Sequence, residues 1–186
     1  MKELKATTRQ ILEKAEHYEW SLQGFGMLSL YLTKETRLNV WSNSYTAPNV
    51  SDIHDHPWNF RSTIVAGELR NYRFKPVENG ASQFLTRRTL YSSGGCVMSE
   101  PSETRLYECA REVYFEGDDY YQCVSEIHRS EPRDGTVTVI TCALLDDPDH
   151  TNVFWRPGKE WVSAEPRPAT PEEVKAISKN ALRLWF

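Results

Sequence analysis

Most of the chain alternates between short apolar segments and turn-forming residues, which is typical of strands in an antiparallel sheet. Six segments are rich in Val, Ile, Thr, Tyr and Leu: 27–33, 38–45, 62–74, 105–115, 120–128 and 136–144. Gly, Asn, Asp and Ser separate several of them and favour tight turns. Many short strands without helices between them predict an all-β domain, built as an antiparallel sandwich or barrel.

Helical periodicity is found near the two ends of the chain. At the N-terminus, Thr7 or Thr8 is suited to cap a short helix. The apolar residues Ile11, Ala15 and Tyr18 then recur at helical spacing. The sequence therefore predicts a short helix before the first strand.

The C-terminal helix signal is stronger. Residues 170–173 read Thr-Pro-Glu-Glu, which supplies an N-cap hydroxyl, a proline at the first helical position and the glutamate of a capping box. Val174, Ile177, Ala181 and Leu184 follow as one apolar stripe. We expect this helix to pack on the outside of the β-rich body.

Length and composition indicate one ordinary globular domain. The 186 residues are 39% hydrophobic and 26% charged, which suits a single hydrophobic core spanning 1–186. Within it we predict a barrel over about 27–156 and a C-terminal strap and helix over 157–186. A net charge of −4 gives no general attraction to nucleic acid or to anionic membranes, and no apolar run is long enough to span one. Scattered cysteines and the lack of a secretory signal favour the cytoplasm.

The candidate chemistry lies in the histidines. His54 and His56 are separated by one residue, so in a strand both imidazoles project from the same face while Asp55 projects from the other. Two imidazoles on one face can bind a single metal ion. An isolated pair of this kind is weak evidence, because paired surface histidines are common.

The surroundings of this pair resemble the first motif of the cupin superfamily. His54-x-His56-Pro57 is followed by an apolar strand and by Gly67, thirteen positions after the first histidine. The second cupin motif is a strand after an acidic, glycine-containing turn, and it carries one further histidine. Residues 117–119 (Gly-Asp-Asp) and His128 resemble that motif. The resemblance implies a double-stranded β-helix barrel with His54, His56 and His128 as ligands of one metal ion.

One difference from the usual first cupin motif makes the chain resemble a particular branch of the superfamily. Most metal-binding cupins have a glutamate ligand four positions after the second histidine, whereas this chain has Phe60. Its absence is typical of the thiol dioxygenase branch, which includes cysteine dioxygenase. Residues 51–56 and 127–131 are similar to the sequences around that enzyme's ligands. The family's substrate-binding arginine follows a tyrosine, but Tyr31 is followed here by Leu-Thr-Lys, so cysteine is not expected as the substrate.

The resemblance implies an enzyme, a mononuclear non-haem iron oxygenase that acts on a small polar molecule with O₂. Three neutral imidazoles leave Fe²⁺ with open coordination positions for both reactants. Zn²⁺ and Ni²⁺ also accept this ligand set, so a zinc- or nickel-dependent isomerase or lyase remains an alternative. A non-catalytic cupin that binds a metal or a small ligand is another. Cupins often pair through sheet edges, so the resemblance also implies a possible homodimer. The sequence does not predict catalytic residues beyond the metal ligands.

Strand alternation also gives a candidate substrate pocket. Residues expected to face the barrel interior or to share a strand face with His128 are Tyr31, Asn43, Tyr45, Trp58, Phe60, Ser62 and Glu126. Phe60 is expected to cover the metal pocket with apolar surface. Glu126 is open to two interpretations, either a residue that orients or joins the ligands, or an interior glutamate paired with an arginine.

Overall fold

The computed structural model of the protein describes residues 1–47, 50, 53–79, 82–92, 95–143, 150–159 and 166–186. Its helices are α1 (Lys2–Glu13), a 3-10 turn (Ala15–His17) and α2 (Pro171–Trp185). The first strands are β1 (Ser21–Gln23), β2 (Phe25–Tyr31), β3 (Thr36–Thr46), β4 (Ile53–His54), β5 (Asn59–Ala66), β6 (Glu68–Pro76) and β7 (Ser82–Ser92). The others are β8 (Gly95–Met98), β9 (Ser102–Phe115), β10 (Asp119–Gln122), β11 (Ile127–Pro132), β12 (Val137–Ala143), β13 (His150–Trp155) and β14 (Arg167–Pro168).

Two antiparallel sheets make up the β-rich body, which confirms the predicted fold class at the level of a mostly β domain with short terminal helices. The first, here called the helix-side sheet, has the strand order β10-β5-β12-β3-β2-β1-β14. One face of it packs against both helices. That core includes Leu12, Leu28, Leu38, Val40, Val65, Val137, Val174 and Ile177.

The second sheet, here called the histidine-side sheet, has the order β13-β4-β11-β6-β9-β7-β8. Because β13 also pairs with β7, six strands pair in a closed ring: β13, β4, β11, β6, β9 and β7. One face carries an apolar cluster formed by Ile53, Phe84, Leu106, Ile127 and Phe154. Successive residues of a strand point to opposite faces, so His54 and His128 lie on the other face, toward the helix-side sheet.

The chain repeatedly crosses from one sheet to the other, and a left-handed backbone conformation lies at four of these crossings. They occur at Gly67 between β5 and β6, Gly117 between β9 and β10, Ser125 between β10 and β11, and Gly135 between β11 and β12. Two predicted strands are corrected here. The segment 62–74 is divided at Gly67, and 120–128 is divided by a turn before Ile127, because the two halves of each belong to different sheets.

The two helices agree with the sequence to different degrees. The capping box of α2 is confirmed: Thr170 Oγ1 accepts from Glu173 N at 3.3 Å, and Glu173 Oε2 accepts from Thr170 N at 2.9 Å. Val174, Ile177 and Ala181 are buried, but Leu184 is 40% exposed and leaves the predicted stripe. The predicted cap of α1 is wrong, because the helix begins at Lys2 and Thr8 is buried within it. Neither described helix has the length and apolar character needed to cross a membrane.

Gly67 allows the closest approach at a sheet crossing. Its φ is +93°, and a Cβ added there would lie 2.5 Å from Thr136 Oγ1 and 2.9 Å from Thr136 Cα. Thr136 uses this proximity to bond both backbone groups of Glu68, accepting from its N at 3.2 Å and donating to its O at 2.9 Å. The contact ties the start of β6 to the loop before β12.

We expect Gly67→Ala to lower the free energy of unfolding by about 2–4 kcal/mol, because it adds a steric clash to the strain of a left-handed alanine. Gly117→Ala is the matched control, since Gly117 has φ +97° but no atom within 4 Å of its added Cβ. It should cost only the backbone strain, about 1–2 kcal/mol. Urea denaturation of both variants checks this, and equal losses would show that the contact with Thr136 relaxes easily.

Candidate metal centre

Three histidines meet on the inner face of the histidine-side sheet. His54 in β4 lies directly opposite His128 in β11 in the antiparallel register. His56 follows two positions after His54, just beyond the end of β4. One ring nitrogen from each of the three residues lies within 4.8 Å of the others, so the group can hold a metal ion. The structure thus brings together all three ligands proposed from the sequence.

The distances suit a small divalent ion. His56 Nε2 and His128 Nε2 are 3.0 Å apart. Two nitrogens that each lie about 2.1 Å from an ion, at about 90° to each other, are separated by about 3.0 Å. The ring centroids are 4.7 Å apart for His54 and His56, 4.9 Å for His54 and His128, and 5.1 Å for His56 and His128. The site fits an ion held by three imidazoles.

Asn71 fixes the tautomer of His128. Its Oδ1 lies 2.9 Å from His128 Nδ1, and both side chains are buried, with exposures of 0% and 2%. An amide oxygen only accepts, so Nδ1 carries the proton and donates it to this bond. The Nε2 lone pair of His128 then faces the other two histidines, as a metal ligand requires.

The backbone of His56 is held by the turn between β10 and β11. His56 O accepts from Ser125 N at 3.0 Å, and Asn59 Oδ1 accepts from Val124 N at 2.7 Å. Ser125 has φ +61°, an uncommon conformation for a residue other than glycine. This turn leads directly into β11, so the segment that carries His56 and the strand that carries His128 are tied together.

The side chain of Asp55 points away from those of His54 and His56 and is bound to β13. Asn152 donates to it twice, from N to Oδ1 and from Nδ2 to Oδ2, each at 2.6 Å. Asp55 N donates in turn to Asn152 O at 3.1 Å. Burial raises the pKa of Asp55, while these bonds and the nearby His150 and Arg88 oppose the rise. Asp55 therefore acts as an anchor for the histidine segment.

Electrostatics keep two of the imidazoles neutral. Burial lowers the pKa of His56 well below its usual value, and the charges of His54, His128 and Arg37 lower it further. Burial likewise lowers the pKa of His128, with added effects from His54 and Arg73. Both rings therefore remain neutral at pH 7, which leaves their lone pairs available to a metal.

Aromatic rings surround the histidines. Phe25 stacks on His54, with centroids 6.0 Å apart and an interplanar angle of 5°. Phe60, which is 3% exposed, presents an edge to His56 at 4.9 Å and lies 6.1 Å from His128. Trp58 lies 5.9 Å from His56. Phe60, four positions after His56, thus places an apolar ring beside the histidines.

The predicted pocket residues divide into two groups. Trp58 and Phe60 lie beside His56, and Ser62 is fully buried on the same strand face as Phe60. Tyr31 is instead 62% exposed at the end of β2. Asn43 is exposed as well.

Tyr45 packs against the core beneath the helices, so its predicted place in the pocket is wrong. The pairing of β2 with β3 explains the error for Tyr45 and for Asn43. The register changes from Met27↔Trp41 to Phe25↔Thr46, which inserts three extra residues into β3. Strand alternation does not continue across such a bulge.

Glu126 belongs to an ion-pair network and is not grouped with the histidines. Its Oε2 accepts from Arg73 Nη1 at 2.8 Å and from Cys123 N at 2.8 Å. Arg73 also donates to Glu112 Oε2 at 2.8 Å, to Gln122 Oε1 at 3.3 Å and to Tyr121 O at 2.9 Å. The structure therefore favours the second interpretation, a glutamate paired with an arginine.

No protein-family model and no curated protein matches this chain. The geometry of the three histidines is therefore the observation on which a functional assignment depends.

Three residues near the site were not expected from the sequence. Asn71 orients His128, and Tyr120 is a buried tyrosine whose ring lies 6.1 Å from Phe60. Arg37 in β3 acts electrostatically on His56. In the sequence, Arg37 and Trp41 alternate with aliphatic residues of β3. This alternation could have pointed to Arg37, but only if the face of β3 that lies toward the histidines had been known.

The bond from His128 to Asn71 leads to a prediction about metal affinity. Asn71→Leu keeps the side-chain volume but removes the acceptor, so we expect metal affinity to fall about 10- to 100-fold. Asn71→Asp keeps an acceptor and should bind metal at least as tightly as the unmodified protein. Competition with a chromophoric chelator measures both, and His128→Ala gives the reference for complete loss.

Asn180→Leu is the control for the loss of a hydrogen-bonded amide elsewhere, since the partly buried Asn180 in α2 donates from Nδ2 to Asp134 Oδ2 at 2.7 Å. It should leave metal affinity unchanged. An unchanged affinity in Asn71→Leu would show that the His128 tautomer is set by other means.

Proposed function

We propose that this protein is a cupin of the three-histidine type and a mononuclear non-haem iron oxygenase acting on a small polar molecule. The observation that carries the proposal is the convergence of His54, His56 and His128 at a site where an apolar ring, Phe60, stands in the place of a carboxylate ligand. The two antiparallel sheets and the site between them are compatible with a cupin barrel. The motif resemblance around these residues favours iron over zinc or nickel.

His54, His56 and His128 would hold Fe²⁺, which would supply open coordination positions for a chelating substrate and O₂. The protein's own contribution is to hold the ligands and to shape their surroundings. His128 is kept in one tautomer by Asn71, and His56 is kept in place by the turn at Ser125. Phe60 and Trp58 present aromatic surface beside the ligands, which limits the access of water to the reacting groups.

The decisive experiment is anaerobic loading with Fe²⁺, followed by measurement of O₂ consumption across a panel of thiols, amino acids and diketones. We expect one ferrous ion per chain and substrate-dependent O₂ uptake, with none in the zinc-loaded protein or in His128→Ala. Failure to bind iron would refute the proposal. Turnover by the zinc- or nickel-loaded protein without O₂ would instead support a metal-dependent isomerase or lyase.

Phe60 offers a direct test of the ligand set. Phe60→Glu places a carboxylate beside His56, so we expect the metal to bind at least about tenfold more tightly, since oxygen ligands add to the affinity of an N₃ site. O₂-dependent turnover should fall, because one coordination position is then occupied. Phe60→Leu is the matched control and should change metal affinity little. Unchanged metal binding in Phe60→Glu would show that this side chain does not reach the ion.

We also propose a cytoplasmic location and association of two copies through sheet edges. The first rests on the scattered cysteines, and the second on the tendency of cupins to pair through sheet edges. Size-exclusion chromatography with light scattering measures the association state of the purified protein.

A further inference from the structure

Arg73 occupies the position in β6 directly opposite His128. The two residues are paired in the antiparallel register of β6 and β11, so their side chains are neighbours on one face of the sheet. That face is the one on which the three histidines converge. Burial lowers the pKa of His128, and the charges of His54 and Arg73 lower it further. Arg73 is therefore a direct neighbour of one candidate metal ligand.

The guanidinium group of Arg73 joins β6 to three other segments of the chain. It donates to Glu112 Oε2 in β9 at 2.8 Å and to Glu126 Oε2, in the turn before β11, at 2.8 Å. Two further bonds reach β10, to Gln122 Oε1 at 3.3 Å and to Tyr121 O at 2.9 Å. Because β10 is an end strand of the helix-side sheet and β6 belongs to the other sheet, these bonds connect the two sheets.

One of these bonds braces the turn that holds His56. The carboxylate oxygen of Glu126 that accepts from Arg73 also accepts from Cys123 N at 2.8 Å. The backbone of the same turn closes where Glu126 N donates to Cys123 O at 3.3 Å. Ser125, inside the turn, donates from N to His56 O at 3.0 Å. Arg73 therefore acts on the backbone of His56 through the shape of this turn.

Another bond leads to the residue that orients His128. Glu112 lies directly opposite Asn71 in the register of β6 and β9, so the two side chains share one face of the sheet. Burial raises the pKa of Glu112, but the Arg73 guanidinium and the Asn71 side chain are among the groups that bring it below its usual value. Asn71 Oδ1 accepts from His128 Nδ1 at 2.9 Å. The ion pair of Arg73 and Glu112 therefore adjoins the bond that fixes the His128 ring.

Both routes end on the two histidines whose Nε2 atoms are 3.0 Å apart, His56 and His128. One ion can bind both nitrogens at about 2.1 Å only while they keep a separation close to this value. Groups that hold metal ligands from behind restrict their orientation in this way. Arg73 is placed to keep the separation, because it reaches one ligand through the turn and the other through Asn71.

We propose that Arg73 is a positioning residue for the candidate metal centre, and that its forked guanidinium group fixes the separation of the His56 and His128 nitrogens. This inference rests on the proposed function in that the three histidines bind a metal, and it holds whichever reaction follows. Arginine presents five donors in one rigid plane, whereas lysine is a point charge on a flexible stem. The shape of the side chain is therefore needed as well as its charge.

A purely electrostatic role for Arg73 makes the opposite prediction. A positive charge beside the site repels a divalent ion, and its removal leaves the carboxylates of Glu112 and Glu126 without their partner. Loss of the charge alone would therefore strengthen metal binding, and Arg73→Lys would change nothing. Positioning predicts weaker binding whether the charge is removed or kept.

The test is the zinc affinity of Arg73→Gln and Arg73→Lys, measured by competition with a chromophoric chelator. We expect Arg73→Gln to bind zinc about 10- to 100-fold more weakly, the range typical for loss of a group that holds a metal ligand from behind. Arg73→Lys should fall between this variant and the unmodified protein. Unchanged or tighter binding in either variant would overturn the inference.

Arg70→Gln is the matched control, because Arg70 lies three positions earlier in β6, is exposed and pairs with Glu68 at 3.3 Å. It removes the same charge from the same strand and should leave zinc affinity within about twofold, as is usual for an exposed ion pair. An equal loss in this control would overturn the inference, since any charge on β6 would then matter. Absence of zinc binding by the unmodified protein would overturn the proposed function itself.

A second measurement needs no metal and separates positioning from a general loss of stability. In the metal-free protein, the Ser125 amide should exchange its hydrogen about tenfold faster in Arg73→Lys, because the turn has lost its brace. The Asn152 amide, which donates to Asp55 Oδ1 at 2.6 Å, should keep its exchange rate. Equal acceleration of both amides would show that Arg73 only stabilises the fold as a whole. That result would overturn the inference even if zinc affinity had fallen.

Discussion

The antiparallel pairing of β4 with β11 is the constraint on which the candidate metal centre depends, because it alone places His54 opposite His128. Two residues make up β4, and a strand of that length is not stable by itself. Its other edge pairs with β13, and the three hydrogen bonds between Asp55 and Asn152 extend that pairing past the end of the strand. The site therefore depends on β13, although that strand supplies no ligand.

Hydrogen bonds between segments that cross from one sheet to the other restrict the positions of the ligands. The segment with His56 leaves the histidine-side sheet just as the turn before β11 enters it, and the two are joined by the bond from Ser125 N to His56 O. Ser125 adopts its left-handed conformation at a cost of about 1 kcal/mol or more, which the surrounding bonds must offset. Holding ligands through backbone bonds from two elements restricts them to a narrow range of positions, as a metal site requires.

The features that could be predicted from the sequence are those that depend on residues close together along the chain. Spacing over a few residues places His54 and His56 on one face and Asp55 on the opposite face. The capping box at Thr170 is equally local. Features that depend on register between distant strands were not predictable. The bulge in β3 that removes Tyr45 from the pocket arises from the three-residue change in its pairing with β2. Asn71 became significant only because β6 lies beside β11.

Pairing within the interior also determines which groups are left for a ligand. The carboxylates next to the histidine segment and β11 are paired within the protein: the buried Asp55 is bound by Asn152, and the partly exposed Glu126 by Arg73. Because both carboxylates are engaged elsewhere, the described residues that can bind a metal ion at this site are the three histidines.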